Sequence, residues 1–317
     1  MTIADLKMKV ALNPRSSNQR RDLAAKLLTK GFFLEALEQA QIGLDLQDDE
    51  LSPVAVELEE LERTILERHL DALVGPAFEF VIDNHLPKVE NGRVVELSVH
   101  VEGDDLRRVA EVFTSPLLSS LQVLGVIVDD IVEDVIAKLD MAPFALRELN
   151  LWLRGNLSPM TLKSVLEAPV CGGLESLYLR GTQLTDDTVK ALGRSAATIT
   201  ELTLRSDDMT RLGPNSVNHL ADARFTPSLT ALGLISTSIG DQGAFNLASL
   251  QPFANLRRLA LRDGVITNDG AKILGSDPVF EGLEFLDVSR NVIDDAGLVA
   301  LRGLGIQVRS EGQHPSR

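Results

Sequence analysis

The stretch Leu283-Glu284-Phe285-Leu286-Asp287-Val288-Ser289-Arg290-Asn291-Val292-Ile293 carries the pattern that decides the fold. It has apolar residues at relative positions 1, 4 and 6 and an Asn at position 9. Positions 4 and 6 lie on one face of a strand, because strand side chains alternate with a period of two. Position 9 begins a turn, and residues 294–301 read as a capped helix. The unit is therefore strand, turn and helix, and one unit alone cannot bury its apolar face.

The same unit recurs along the chain at intervals of 25 to 30 residues. Its leading apolar residues are Val94, Leu121, Leu146, Leu174, Ile199, Leu229, Leu256 and Leu283. Apolar residues follow each of them at positions 4 and 6, from Leu97 and Val99 to Leu286 and Val288. A shortened further strand is predicted at residues 306–308. This regularity indicates a repeat array.

The units resemble leucine-rich repeats, and their length and helical second halves resemble the ribonuclease-inhibitor-like class. The resemblance covers about 215 residues, from Val94 to Val308. It implies an α/β solenoid with the shape of a horseshoe, a parallel sheet on the concave side and helices outside. Only Asn291 matches the turn Asn of the family, so we expect an irregular ladder of turn hydrogen bonds. The equivalent positions carry Arg154, Thr182, Asp207, Thr237 and Gly264.

The N-terminal part is predicted to be helical and to cap the array. Apolar residues at helical spacing predict helices at 4–12, from Ser16 or Ser17 to Leu28, at 33–44 and at 51–73. One helix pair resembles a single tetratricopeptide repeat, through Leu23, Ala24, Leu27, Gly31, Phe33, Ala36 and Leu44. A single repeat does not form a peptide groove, so we interpret the pair as part of a cap. The predicted domains are a helical cap at 1–92 and a leucine-rich repeat domain at 93–317.

Composition restricts the classes of function. The chain has 31 Lys and Arg against 46 Asp and Glu, a net charge of −15, which disfavours nucleic acids and anionic membranes as partners. Its one cysteine, Cys171, cannot form an internal disulfide, and the N-terminus has no signal-peptide pattern, so we expect a cytoplasmic protein. The segment 31–62 contains ten acidic residues and no Lys or Arg. It is either a solvated helix face or a docking site for a basic partner.

The sequence lacks the motifs of common catalytic sites. It has no phosphate-binding loop, no His-Glu-x-x-His, no Cys-x-x-Cys and no Gly-x-Ser-x-Gly. Pairs of Asp recur where the repeat helices begin, as at Asp186-Asp187 and Asp294-Asp295, and we interpret them as helix caps and not as metal or acid–base pairs. We therefore expect a non-enzymatic chain with no cofactor, no metal and no small-molecule substrate.

The sheet face away from the leucine core is the remaining candidate for function. Positions 3, 5 and 7 of each strand point to it, and the only Trp and the only Tyr lie there on adjacent strands. Aromatic and Arg side chains are enriched where interfaces concentrate binding energy. The candidate protein-binding residues are Trp152, Tyr178, Arg180, Arg205, Arg262, Glu148 and Asn150. We expect a module that binds an unidentified protein on this concave face, with Glu148 and Glu201 partly neutralising the arginines. The alternative is a scaffold or assembly subunit that docks through its acidic N-terminal helices.

Overall fold

The computed structural model describes residues 1–47, 52–82, 85, 87–90, 92–103, 105–195, 197–208, 212–250, 253–280 and 282–314. Residues 48–51 of the acidic stretch, residue 104 and residues 209–211 lie outside the described ranges. The helices are α1 Ile3–Leu12, α2 Ser17–Leu28, α3 Phe33–Asp45, α4 Pro53–Arg68, α5 Leu70–Val74, α6 Leu106–Phe113, α7 Val132–Ala137, α8 Pro159–Glu167, α9 Asp186–Arg194, α10 Pro214–Ala221, α11 Gly240–Ser249, α12 Asn268–Ser276 and α13 Asp295–Arg302. In the described part of the chain, no helix has the length and apolar character needed to cross a membrane.

The strands form one open sheet in chain order, β1 to β10. They are β1 Lys88–Glu90, β2 Arg93–Val101, β3 Val123–Val128, β4 Glu148–Leu153, β5 Ser176–Gly181, β6 Glu201–Ser206, β7 Ala231–Ile235, β8 Arg258–Ala260, β9 Phe285–Asp287 and β10 Gln307–Arg309. The pair β1–β2 is antiparallel, whereas β4 to β10 pair in parallel. Parallel neighbours joined by helical crossovers are the arrangement that the strand-turn-helix unit predicts.

The described chain divides into two compact units. The first comprises Met1–His100, Arg107–Leu124 and Ala142–Phe144, and the second comprises Val101–Leu106, Gly125–Met141 and Ala145–Arg317. The first unit therefore holds the N-terminal helices together with β1 and β2, while the second holds the repeats from β4 onward.

Small residues allow the N-terminal helices to approach closely. Ala24 of α2, Ala40 of α3 and Leu58 of α4 form a fully buried cluster. Gly43 lies against the same leucine, since a Cβ built there would stand 2.9 Å from Leu58 Cδ1. A larger side chain at this position would push α4 away from α3.

The prediction of one continuous helix at 51–73 is wrong. The chain forms α4 and α5 with His69 between them, in a non-helical backbone conformation. The imidazole of His69 stacks on Phe33, with ring centroids 3.9 Å apart and an interplanar angle of 15°. Apolar spacing did not show this break, because a ring contact across 36 positions of sequence is a tertiary feature.

The outer edge of β2 is covered within the first unit. Strand β1 pairs with it, and Val81 forms an isolated antiparallel bridge with Val99. The side chain of Gln41 on α3 fixes the β1–β2 turn, because its Nε2 donates to Val89 O at 2.6 Å and its Oε1 accepts from Gly92 N at 3.3 Å. A covered edge cannot pair with another chain.

The repeat register predicted from the sequence is confirmed. The apolar residues at positions 1, 4 and 6 of all eight units are buried, and none exceeds 4% exposure. On the other side of the strands, positions 3, 5 and 7 are mostly half-buried. We call this second side, from β4 to β9, the open face. Three residues on this side, Gly233, Asp287 and Ser289, are buried.

Asn291 performs the role expected of a turn asparagine. Its Oδ1 accepts from Gly264 N and Ile266 N at 2.9 and 3.0 Å, and its Nδ2 donates to Leu261 O and Val288 O at 2.8 and 2.9 Å. Beyond β10, the Gln313 side chain continues this pattern, since Nε2 donates to Val288 O and Oε1 accepts from Ile293 N. At the earlier turns the ladder is irregular, and the buried hydroxyl of Thr237 has no hydrogen-bond partner among the described residues.

Helix capping explains only some of the acidic residues at the starts of the repeat helices. Ser158, Thr185, Thr267 and Asp294 accept bonds from backbone N–H groups of their own helices. Asp241 instead binds the next repeat, because its Oδ1 accepts from Thr267 N at 2.8 Å and Gly270 N at 3.0 Å. The interpretation of these acids as caps is therefore correct for Asp294, whereas Asp241 joins neighbouring repeats.

Candidate functional site

Strand register places the candidate residues in rows across the open face. One row runs Trp152, Arg180, Arg205 and Ile235, a second runs Asn150, Tyr178, Thr203 and Gly233, and a third runs Glu148, Ser176, Glu201 and Ala231. Neighbours in a row stand on strands about 4.8 Å apart. The sheet therefore brings six of the seven predicted residues together on β4, β5 and β6.

Trp152 is held by two guanidinium groups. Cζ of Arg180, its direct cross-strand neighbour, lies 3.8 Å from the ring centroid, and Cζ of Arg154 lies 4.9 Å from it. Such contacts are worth about 0.5–2 kcal/mol each, with the larger values for desolvated pairs. The indole is half-buried, and its Nε1 has no hydrogen-bond partner among the described residues. Trp152 is thus fixed by stacking and not by a hydrogen bond.

Carboxylates hold both of these arginines in place. Nε of Arg180 donates to the two carboxylate oxygens of Asp207 at 2.9 and 3.2 Å, with the side chains 23% and 22% exposed. Arg154 Nη1 pairs with Asp129 at 3.1 Å. The chain Asp–Arg–Trp–Arg–Asp orders the indole before any ligand arrives, so little side-chain freedom remains to be lost on binding.

Sequence reasoning missed Arg154, Asp207 and Asp129. Arg154 and Asp207 occupy position 9 of their units, where a turn asparagine is expected. The absence of asparagine at these two positions was the available signal, since a side chain that makes no hydrogen bonds inside the turn can contact residues of the open face. The pairing itself could not be read from the sequence, because Arg180 and Asp207 are separated by 27 positions.

Tyr178 and Trp152 lie on adjacent strands, but their rings do not stack on each other. Arg180 stands opposite Trp152, while Tyr178 stands opposite Asn150. Within the described ranges, no ring contact joins the two aromatic side chains. The reason is distance, because a direct cross-strand neighbour is closer than the diagonal one. Trp152 therefore uses a cation as its stacking partner.

Of the two glutamates expected to neutralise arginines of the face, Glu201 does so and Glu148 does not. Glu148 accepts from Asn150 Nδ2 at 2.8 Å, and Glu201 pairs with Arg258 at 2.6 Å. Arg262, the seventh predicted residue, follows β8 and stands four strands from Trp152, or about 19 Å at 4.8 Å per strand. It is therefore a separate feature of the open face.

Cys171 is buried. Burial raises the pKa of its thiol from 9.0 to about 12. The thiol therefore stays protonated at neutral pH, which suits a core side chain and not a nucleophile.

Comparison with known proteins identifies the repeat. The family model described as a leucine-rich repeat matches residues 283–301. A Bacteroides fragilis protein solved by structural genomics aligns with a TM-score of 0.54 and 18% identity, over 78% of this chain and 70% of its own. An internalin from Listeria monocytogenes aligns with a TM-score of 0.42 and 19% identity, over 73% of this chain and 59% of its own. No curated protein matches the sequence significantly. Residues 283–301 thus match a leucine-rich repeat, and the fold of the chain is an α/β solenoid.

Proposed function

We propose that the chain is a non-enzymatic protein-interaction module that binds a protein partner on the open face of its sheet. The observation that carries the proposal is Trp152, an aromatic side chain on that face which two arginines hold in position. An ordered Trp flanked by Arg has the composition of a binding hot spot. The core residues of β4 to β6 point to the other side, so the open-face side chains are available for recognition.

The alternative site, the acidic N-terminal helices, gains less support. Several of its acids already have cations from neighbouring positions, namely Glu35 with Lys7, Glu57 with Arg21 and Glu60 with Arg63. A neutralised acid attracts a basic partner only weakly. We therefore place the principal site on the open face.

The test requires a partner, which affinity purification from native cytosol followed by mass spectrometry would supply. Trp152→Ala and Arg205→Ala are each expected to weaken binding by about 2 kcal/mol or more, which is roughly 30-fold in Kd. Loss of the stacking contacts should cost Trp152→Ala about 1–2 kcal/mol of stability. Binding is therefore measured by calorimetry at a temperature where both variants are fully folded.

A matched control is Phe245→Ala, because Phe245 is a 51% exposed aromatic residue on helix α11. It should leave both affinity and stability nearly unchanged. If Trp152→Ala binds as tightly per folded molecule as the original chain, the site has been misplaced.

A further inference from the structure

The open face carries cations of two kinds. Arg154, Arg180 and Arg258 each form an ion pair, with Asp129, Asp207 and Glu201 respectively. Arg205 and Arg262 form no side-chain hydrogen bond or ion pair with any described residue. The positive charge that is left for a ligand is therefore at these two positions, within a chain of net charge −15.

Arg205 is also partly desolvated. Its side chain is half-buried, and its Nε is shielded from water without an acceptor among the described residues. A cation that has lost water and gained no counter-charge is destabilising. An anion brought to this guanidinium would remove that cost, so binding energy is concentrated here.

The two arginines flank an apolar residue. Arg205 stands beside Ile235 in the β6–β7 register, and Ser236 N donates to Arg262 O at 2.9 Å, which places Arg262 along the next strand. Their Cα atoms are thus about 10 Å apart at 4.8 Å per strand. Two long side chains at this spacing can converge on one small anion above Ile235.

We propose that the partner is anchored by a carboxylate side chain held between Arg205 and Arg262, with an apolar side chain of the same segment on Ile235 and Trp152. This rests on the proposed function and names its ligand class, an acidic and apolar protein segment. Guanidinium groups bind carboxylates with directed, charge-assisted hydrogen bonds. The face already uses this chemistry, because Arg180 and Arg154 are held by aspartates.

The distance from Trp152 to Arg262 determines how long the bound protein segment must be. Trp152 and Arg262 lie about 19 Å apart across four strand spacings. An extended segment covers this distance with about six residues at 3.3 Å each. A nucleic acid is the less suitable ligand, because its many phosphates would meet a chain whose net charge is −15.

The inference is tested by panning a random twelve-residue peptide library on the intact chain. Enriched peptides are synthesised with a fluorescein label and titrated by fluorescence polarisation, which reports binding by the Trp152→Ala variant as well as by the original chain. We expect every enriched peptide to contain Asp or Glu. Changing that acid to its amide, or testing Arg205→Ala or Arg262→Ala, should weaken binding at least about tenfold, the scale of a charge-assisted hydrogen bond.

Arg258→Ala is the matched control, since Arg258 lies on the same face and is already paired with Glu201. It should change the Kd less than about threefold. The amide peptide should lose no further affinity on Arg205→Ala, because the contact is already gone. If Arg205→Ala does not fold, Arg205→Lys and Arg262→Ala provide the comparison, and the lysine variant should bind more weakly because it lacks the guanidinium fork.

Three results would overturn the inference. Enriched peptides that lack acids but need Trp152 would leave the proposed function standing without the carboxylate anchor. Acidic peptides that ignore Trp152→Ala and both arginine variants would refute the anchor and the proposed site together. Tighter binding of a twelve-nucleotide single-stranded RNA, lost in Arg205→Ala, would show a nucleic-acid surface instead.

Discussion

Replacing Asn291 with Ala should destabilise the C-terminal repeats strongly. Asn291 is fully buried, and its side chain supplies acceptors to Gly264 N and Ile266 N and donors to two carbonyl groups. Leaving a buried N–H group without an acceptor costs about 1–3 kcal/mol. Val288 O keeps a partner, because Gln313 Nε2 also donates to it at 2.9 Å. Loss of the acceptor for both N–H groups should therefore lower the free energy of unfolding by about 4 kcal/mol, which is a large part of the stability of an ordinary domain.

The measurement is hydrogen exchange followed by mass spectrometry, together with urea denaturation. A repeat array need not unfold in one step, so the loss should be local. Protection should fall in residues 256–314 and change little in residues 174–206. Asn291→Asp should also destabilise, since a carboxylate placed against the carbonyls of Leu261 and Val288 repels them.

The control is Asn255→Ala, because Asn255 is exposed and makes a single side-chain bond, to Pro227 O at 2.6 Å. Its loss should cost no more than about 1 kcal/mol. The reasoning is refuted if Asn291→Ala unfolds at the same urea concentration as the original chain, or if the exchange rates of Gly264 and Ile266 are unchanged.

Two further predictions concern buried groups. Burial raises the pKa of the Cys171 thiol from 9.0 to about 12, so the thiol of the unfolded chain ionises first, and the free energy of unfolding should fall as the pH rises from 9 toward 12. Alkylation of this thiol by iodoacetamide at pH 8 should be slow in the native protein and fast in urea. Rapid alkylation of the native protein would contradict a buried thiol. Thr237→Val should leave the free energy of unfolding in urea unchanged or raise it by about 1 kcal/mol. The substitution keeps the shape of the side chain and removes a buried hydroxyl that has no hydrogen-bond partner among the described residues. A clear loss of stability would show that the hydroxyl is hydrogen-bonded.

The repeat register could be predicted from the sequence because it is a local property. Side chains alternate along a strand, so Leu177 and Leu179 must share one side and Tyr178 and Arg180 the other. A slip by one residue would have buried the wrong set. The structure confirms the register at every unit, and with it the presence of Trp152 on the open face.

The contacts between side chains on the open face could not be predicted in the same way. The sequence placed Trp152 and Tyr178 on adjacent strands, yet the ring of Trp152 stacks on Arg180 and Arg154. Which side chain a ring contacts depends on rotamers and on competing charges such as Asp207. Those choices are made between strands that lie 25 to 30 residues apart in the sequence.

The sequence by itself thus determined the solenoid, its register and the set of residues on its open face, since periodicity acts within a single strand. Tertiary structure alone decided which charges remain available. Arg180 and Arg205 look equivalent in the sequence, at position 7 of consecutive units. Only the fold brings Asp207 to Arg180 and leaves Arg205 without a described acceptor. The physical reason is that an ion pair depends on the distance between charged atoms in space, which repeat spacing does not specify.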